Sequence, residues 1–101
     1  LVVTFSLKGA EFMALNGGPH YQLSPAASIV AHCTDQAEIN RLWSALLANG
    51  GKESQCGWLT DRWGVSWQIV PANMAELMSG PDDAANKRAQ QAMFGMVKLD
   101  I

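Results

Sequence analysis

The segment DQAEINRLWSALLANGG, residues 35–51, limits the possible folds of this chain more than any other stretch. Ile39, Leu42, Trp43, Leu46 and Leu47 recur at the spacing of one stripe of a 3.6-residue helix. Asp35 stands where a side-chain oxygen caps the first-turn amides, and Glu38, three residues on, completes a capping box. Asn49-Gly50-Gly51 ends the helix, with glycine taking the left-handed stop conformation. One strong amphipathic helix needs an apolar surface to lie on, and the flanking segments read as the strands that supply it.

In LVVTFSLKGAEFMALNGGP, Val3, Phe5 and Leu7 alternate with Thr4, Ser6 and Lys8. Gly9 can take the positive φ of a tight turn, so two strands joined at Lys8-Gly9 are expected. A Gly, Pro, Asn and Ser-rich loop follows, and ASIVAHC resumes a strand. QCGWLTDRWGVSWQIVP, residues 55–71, carries three of the four tryptophans and reads as a hairpin around Asp61–Gly64. With no bulge in that turn, Thr60 faces Val65, Trp58 faces Trp67 and Cys56 faces Ile69. Trp58 and Trp67 then share one sheet face, while Leu59, Ser66, Gln68 and Val70 share the other. Beyond Pro71, NMAELMSG predicts a short helix capped by Asn73. PDDAANKRAQQAMFGM predicts a longer one opened by Pro81 and two aspartates. Its stripe of Ala85, Ala89, Ala92, Met93 and Met96 is thin, and VKLDI reads as a closing strand. From residue 27 the order is strand, helix, strand, strand, which predicts an α+β sheet with helices on one face.

A chain of 101 residues makes one small domain. No apolar run approaches the roughly 18 residues of a membrane span, and no signal segment opens the chain, so a cytoplasmic protein with no membrane partner is expected. A net charge of −2 with seven scattered Lys and Arg argues against nucleic acid. Cys33 and Cys56 lie in apolar, strand-like runs and are expected to be free thiols. The chain starts without methionine in the middle of a strand pattern, as the continuation of a longer polypeptide would.

The blocks FMALNGGP, DQAEINRLW, CGWLTDRWGVSWQIVP and AMFGM.KLDI resemble the PhnB-like family, often labelled 3-demethylubiquinone-9 3-methyltransferase, within the vicinal oxygen chelate superfamily of glyoxalase I, bleomycin-resistance proteins and extradiol dioxygenases. The resemblance implies βαβββ modules whose sheets curl into a cup. Residues 1–18 would be the hairpin of an incomplete first module, residues 27–71 a second module, and residues 72–101 C-terminal helices and a strand. Glyoxalase-type relatives hold a divalent metal with side chains of the first and last strands of each module. In this chain the corresponding positions are Ser28, Gln68 and Met13. None supplies a carboxylate or imidazole, so no conventional metal site is expected there.

The candidate pocket residues are therefore Glu11, Met13, Leu15, Ser28, Ser66 and Gln68 for ligand binding, with His32 as a candidate acid or base. Gln68 would orient a ligand, and Met13 and Leu15 would supply apolar wall. With Gln68 and Ser66 facing into the implied cup, Trp58 and Trp67 would face away from it, toward the helix. NGGP leads into loop and strand instead of a helix N-terminus, so no adenosylmethionine motif is present and the cofactor is unknown. The expected function is enclosure of a small molecule in the cup. The alternatives are a metal-assisted isomerase, lyase or transferase completed by a missing segment or a partner subunit, and a sequestering protein like the bleomycin-resistance relatives. The resemblance also implies a homodimer, with the contact expected at the last helix and the terminal VKLDI strand.

Overall fold

A computed structural model describes residues 1–100, apart from the Leu77 side chain. The first two strands, β1 (Val2–Leu7) and β2 (Ala10–Leu15), form an antiparallel hairpin. Lys8 and Gly9 make its two-residue turn with φ of 48° and 86°. Two positive φ values match the right-handed twist of the strands that the turn joins. Phe5 and Phe12 stack across this ribbon with ring centroids 5.6 Å apart. Phe12 is half-buried, and every other hairpin residue is exposed.

The second sheet has the order β3-β6-β5-β4, built from β3 (Ser28–Cys33), β4 (Lys52–Glu53), β5 (Trp58–Thr60) and β6 (Ser66–Pro71). Between β3 and β4 runs α1 (Gln36–Leu47), so β3 returns parallel to β6 through a helical crossover while β4, β5 and β6 form an antiparallel meander. This is one βαβββ unit preceded by a hairpin, an α+β architecture as the order of elements predicts.

The start of α1 follows the capping signal. Asp35 accepts from the Glu38 amide at 2.8 Å. Glu38 reaches back to Thr34, accepting from its amide at 3.1 Å and its hydroxyl at 2.9 Å. The helix end differs from expectation, because Asn49 takes the left-handed conformation with φ of 62° before Gly50. Asparagine tolerates that region better than most residues. The core lies between α1 and the sheet, where Cys33, Ile39, Trp43, Leu59 and Ile69 are all buried, with Leu42, Leu46, Leu47 and Trp67 packed around them. The short β4, unforeseen in the sequence, brings Glu53 to accept from the Trp43 indole at 3.1 Å.

The register of the tryptophan hairpin corrects one expectation. Trp58 pairs with Gln68, Leu59 with Trp67, and Thr60 with Ser66. The connection contains all of Asp61–Val65, with the Asp61 amide donating to the Val65 carbonyl and the Gly64 amide to the Asp61 carbonyl. One residue more than a plain four-residue turn inverts the faces of β5 relative to β6. Leu59, not Trp58, therefore packs toward α1, and Trp58 shares the face of Gln68. Trp67 packs on the core as expected. Asp61 holds this loop together. Its carboxylate accepts from the Trp63 and Val65 amides, each at 3.0 Å, and from the Trp67 indole at 2.9 Å.

Beyond the sheet, α2 (Met74–Met78) and α3 (Asp83–Phe94) form as predicted. Asn73 precedes α2 but makes no side-chain cap bond, whereas Asp82 caps α3 through the Ala84 and Ala85 amides. The predicted closing strand does not form over residues 97–100, and Ile101 lies outside the described residues. Instead this segment meets a turn, with the Cys56 and Gly57 amides donating to the Met96 and Val97 carbonyls at 2.9 and 2.8 Å. Cys56, with φ of 57°, thus sits in a turn and not in a strand run. Gly57 is needed there, since its φ is +84° and a Cβ would stand 2.9 Å from the Ile69 carbonyl oxygen.

Candidate functional site

Alternation along β3 and β6 places Ser28, Val30, His32, Ser66, Gln68 and Val70 on the sheet face away from α1, because Ser28 pairs with Ser66, Val30 with Gln68 and His32 with Val70. Trp58 and Thr60 of β5 join them through the corrected register. Ser66 and Val70 are buried, while Gln68, between them, is half-buried. The Gln68 side-chain amide donates to the Ser28 hydroxyl at 2.9 Å. Two of the sequence-selected residues are thus in direct contact, a third, Ser66, lies opposite Ser28 on the neighbouring strand, and His32 stands further along β3.

Glu11, Met13 and Leu15 have a different setting. They pair with Ser6, Thr4 and Val2 on one face of the hairpin, opposite the face that carries Phe5 and Phe12, and all three are exposed. They do not meet Ser28 or Gln68 in a common cavity.

A cavity of about 480 Å³ runs along the outer edge of β3 between the hairpin and α1. Leu7 and Phe12 of the hairpin, Leu42 and Leu46 of α1, and Trp67 form apolar wall, with His32 and Lys8 as its polar members. β3 is an edge strand, so both of its faces border this cleft. The hairpin is tied to the rim by Lys8, whose ammonium donates to Glu38 at 3.1 Å. The Thr34 amide and hydroxyl, together with the Lys8 ammonium, hold the Glu38 carboxyl down at about 2. Sequence reasoning missed the cleft because its walls come from elements far apart in the chain. Leu7, Phe12 and Trp67 carried signals for strands and core, not for a pocket.

Ser28, Gln68 and Met13 supply a hydroxyl, an amide and a thioether, a donor set that does not fit a hard divalent cation. Ser28 and Gln68 satisfy each other, and Met13 is on the hairpin. Among the described residues no group of three or more His, Cys, Asp or Glu side chains is gathered for a metal. Adenosylmethionine finds no better fit around Gly17 and Gly18, which lie in the loop before β3 and not at a helix N-terminus.

The unit β3-α1-β4-β5-β6, with its first strand parallel to its last, defines an α+β protein of the PhnB-like fold, and its solved relatives agree. The PhnB protein from Bacillus cereus, which carries a methyltransferase label, superposes with a TM-score of 0.63 at 29% identity over 69% of this chain and 64% of its own. Protein PA1353 from Pseudomonas aeruginosa shares the fold with a TM-score of 0.59 at 24% identity over 70% of this chain and 62% of its own. This chain therefore spans less than two thirds of either relative. The family model for 3-demethylubiquinone-9 3-methyltransferase matches residues 1–70, and the chain belongs to that family. No curated protein matches.

Proposed function

We propose that this PhnB-like chain binds a small molecule over β3, and that the methyltransferase in its family's name does not describe its chemistry. The observation that carries the reading is the cleft of about 480 Å³ along the β3 edge, with His32 on its wall. The Gln68–Ser28 pair lies on the sheet face that His32 shares. Apolar wall would take the hydrophobic part of the ligand, and the His32 imidazole and Lys8 ammonium would orient its polar part. His32 is the candidate acid or base should turnover occur. The same reading includes a reducing, cytoplasmic setting, supported by the free Cys33 and Cys56. No helix among the described residues is long and apolar enough to cross a membrane. It also includes a homodimer, which sedimentation of the full-length protein would reveal.

Calorimetric titration of the full-length protein against small aromatic and acidic metabolites, with product analysis, tests the proposal. Binding is expected, with the ligand recovered unchanged, and roughly tenfold weaker in His32→Ala, about one lost hydrogen bond. Conversion of the ligand with a stoichiometric divalent metal in the protein would instead establish the metal-assisted enzyme. Absence of binding, or binding indifferent to His32→Ala, would overturn the placement over β3.

A further inference from the structure

A second cavity, of about 210 Å³, lies at the C-terminal end of β6 and shares no lining residue with the β3-edge cleft. Its walls are Pro71, Met74, Met78, Met93, Met96 and Leu99. Four of the chain's five methionines thus converge on one hollow. It belongs to residues 71–100, beyond the segment that the family model matches.

The frame around this cavity is pinned on two sides. Near the start of α3, Asn86 closes a pair of hydrogen bonds with the Gly80 backbone, at 3.0 and 2.8 Å. After α3, Met96 and Val97 are held by the Cys56 and Gly57 amides. Between these anchors α3 faces the hollow with Ala89, Ala92 and Met93, and none of its residues is buried. The anchors fix both ends of the helix, and its two alanines are too short to fill the space beside Met93. The hollow is half open to solvent, and even a smaller, enclosed apolar void of about 150 Å³ has room for benzene. Thioether side chains adapt their shape and make favourable contacts with aromatic ring edges.

We propose that this cavity is a binding site for a monocyclic aromatic compound that is neutral or carries a hydrogen-bond donor. Asp100 is the one charged residue of the lining, which disfavours an anionic ring substituent. This site is independent of the β3-edge site, and either reading can fail without the other.

The test uses the full chain labelled with 13C at the methionine methyl groups, titrated with p-cresol and, separately, with p-toluate. The methyl signals of Met74, Met78, Met93 and Met96 are expected to shift saturably with p-cresol while that of Met13 stays in place. Ala92→Phe fills the hollow and is expected to weaken p-cresol binding at least roughly tenfold while the other signals stay dispersed. Ala89→Leu gives the same readout should the larger ring unfold the chain. His32→Ala should leave the titration unchanged. No saturable shift at millimolar p-cresol, a Met13 signal that moves with the others, or unchanged affinity in the folded filled variant would overturn the site. Equal affinity for p-toluate would overturn the charge preference.

Discussion

The hairpin and the βαβββ unit are built from the same kind of alternating sequence, yet only one of them owns a core. In the hairpin, Val3, Phe5 and Leu7 lie on one face with Phe12 and Ala10, while Val2, Met13 and Leu15 lie on the other. Apolar groups are thus divided between two faces, and all but Phe12 are exposed. In the unit, one face of β3, β5 and β6 delivers Cys33, Leu59 and Ile69 to the stripe of α1, and all three are buried. Alternation and a good turn therefore specify a strand pair, but stability comes from an element laid across one face. The radius of gyration of 15.5 Å, against about 13 Å for a compact chain of this length, reflects the same division.

Truncating the core should break the comparison most strongly. Ile69 is fully buried in the middle of the sheet, so Ile69→Ala is expected to cost about 2–5 kcal/mol in denaturant unfolding. Phe12→Ala in the hairpin is expected to cost no more than about 1 kcal/mol, the worth of an aromatic pair, because little else is buried with it. Equal costs would mean that the hairpin has a core of its own.

Asp61→Ala comes next, at about 2–3 kcal/mol, since it strands the Trp63 and Val65 amides and the Trp67 indole. Asp61→Asn should recover part of this, because the amide oxygen can still accept from the backbone while its nitrogen cannot accept from the indole. A change in Trp67 fluorescence in both variants would report the loss of that bond.

The smallest effect concerns the tie between the two regions. Glu38 has its carboxyl lowered from 4.5 to about 2 in the folded state, chiefly by the Thr34 amide, then by the Thr34 hydroxyl and Lys8. A carboxyl lowered on folding contributes stability in full above its unfolded value, and this contribution is lost as the pH falls from about 4.5 through about 2. Glu38→Gln should therefore flatten the acid limb of stability in that window. Lys8→Ala should narrow the window and raise amide exchange in the hairpin, leaving the protection of β6 unchanged. Such a surface pair contributes little on its own.

Much of this fold was legible from local signals, because a turn at Lys8-Gly9, an Asp35 cap and an apolar stripe are each determined within a few residues. Other features depend on a single residue in a connection. The extra residue in the Asp61–Val65 loop moved Trp58 to the Gln68 face, although Trp67 stayed on the core. β4 escaped notice because a two-residue strand has no period of its own and exists through pairing with β5. VKLDI alternates, yet its backbone partners belong to a turn at Cys56-Gly57, so alternation did not produce a strand. At the candidate site, the shared face of Ser28, His32, Ser66 and Gln68 followed from strand alternation. The cleft beside it did not, because it forms only when the hairpin is brought against α1.

The central claim is that a ligand sits in the cleft along the β3 edge, between the hairpin and α1, with His32 on its wall. Amide chemical shifts of the full-length protein, followed during titration with the tightest compound from the calorimetric screen, test it most directly. The account predicts movement concentrated at Val30, Ala31, His32 and Leu46, with Ile39, Trp43 and Leu59 nearly still. Shifts centred on Met13 and Glu11, or confined to residues 71–100, would contradict it.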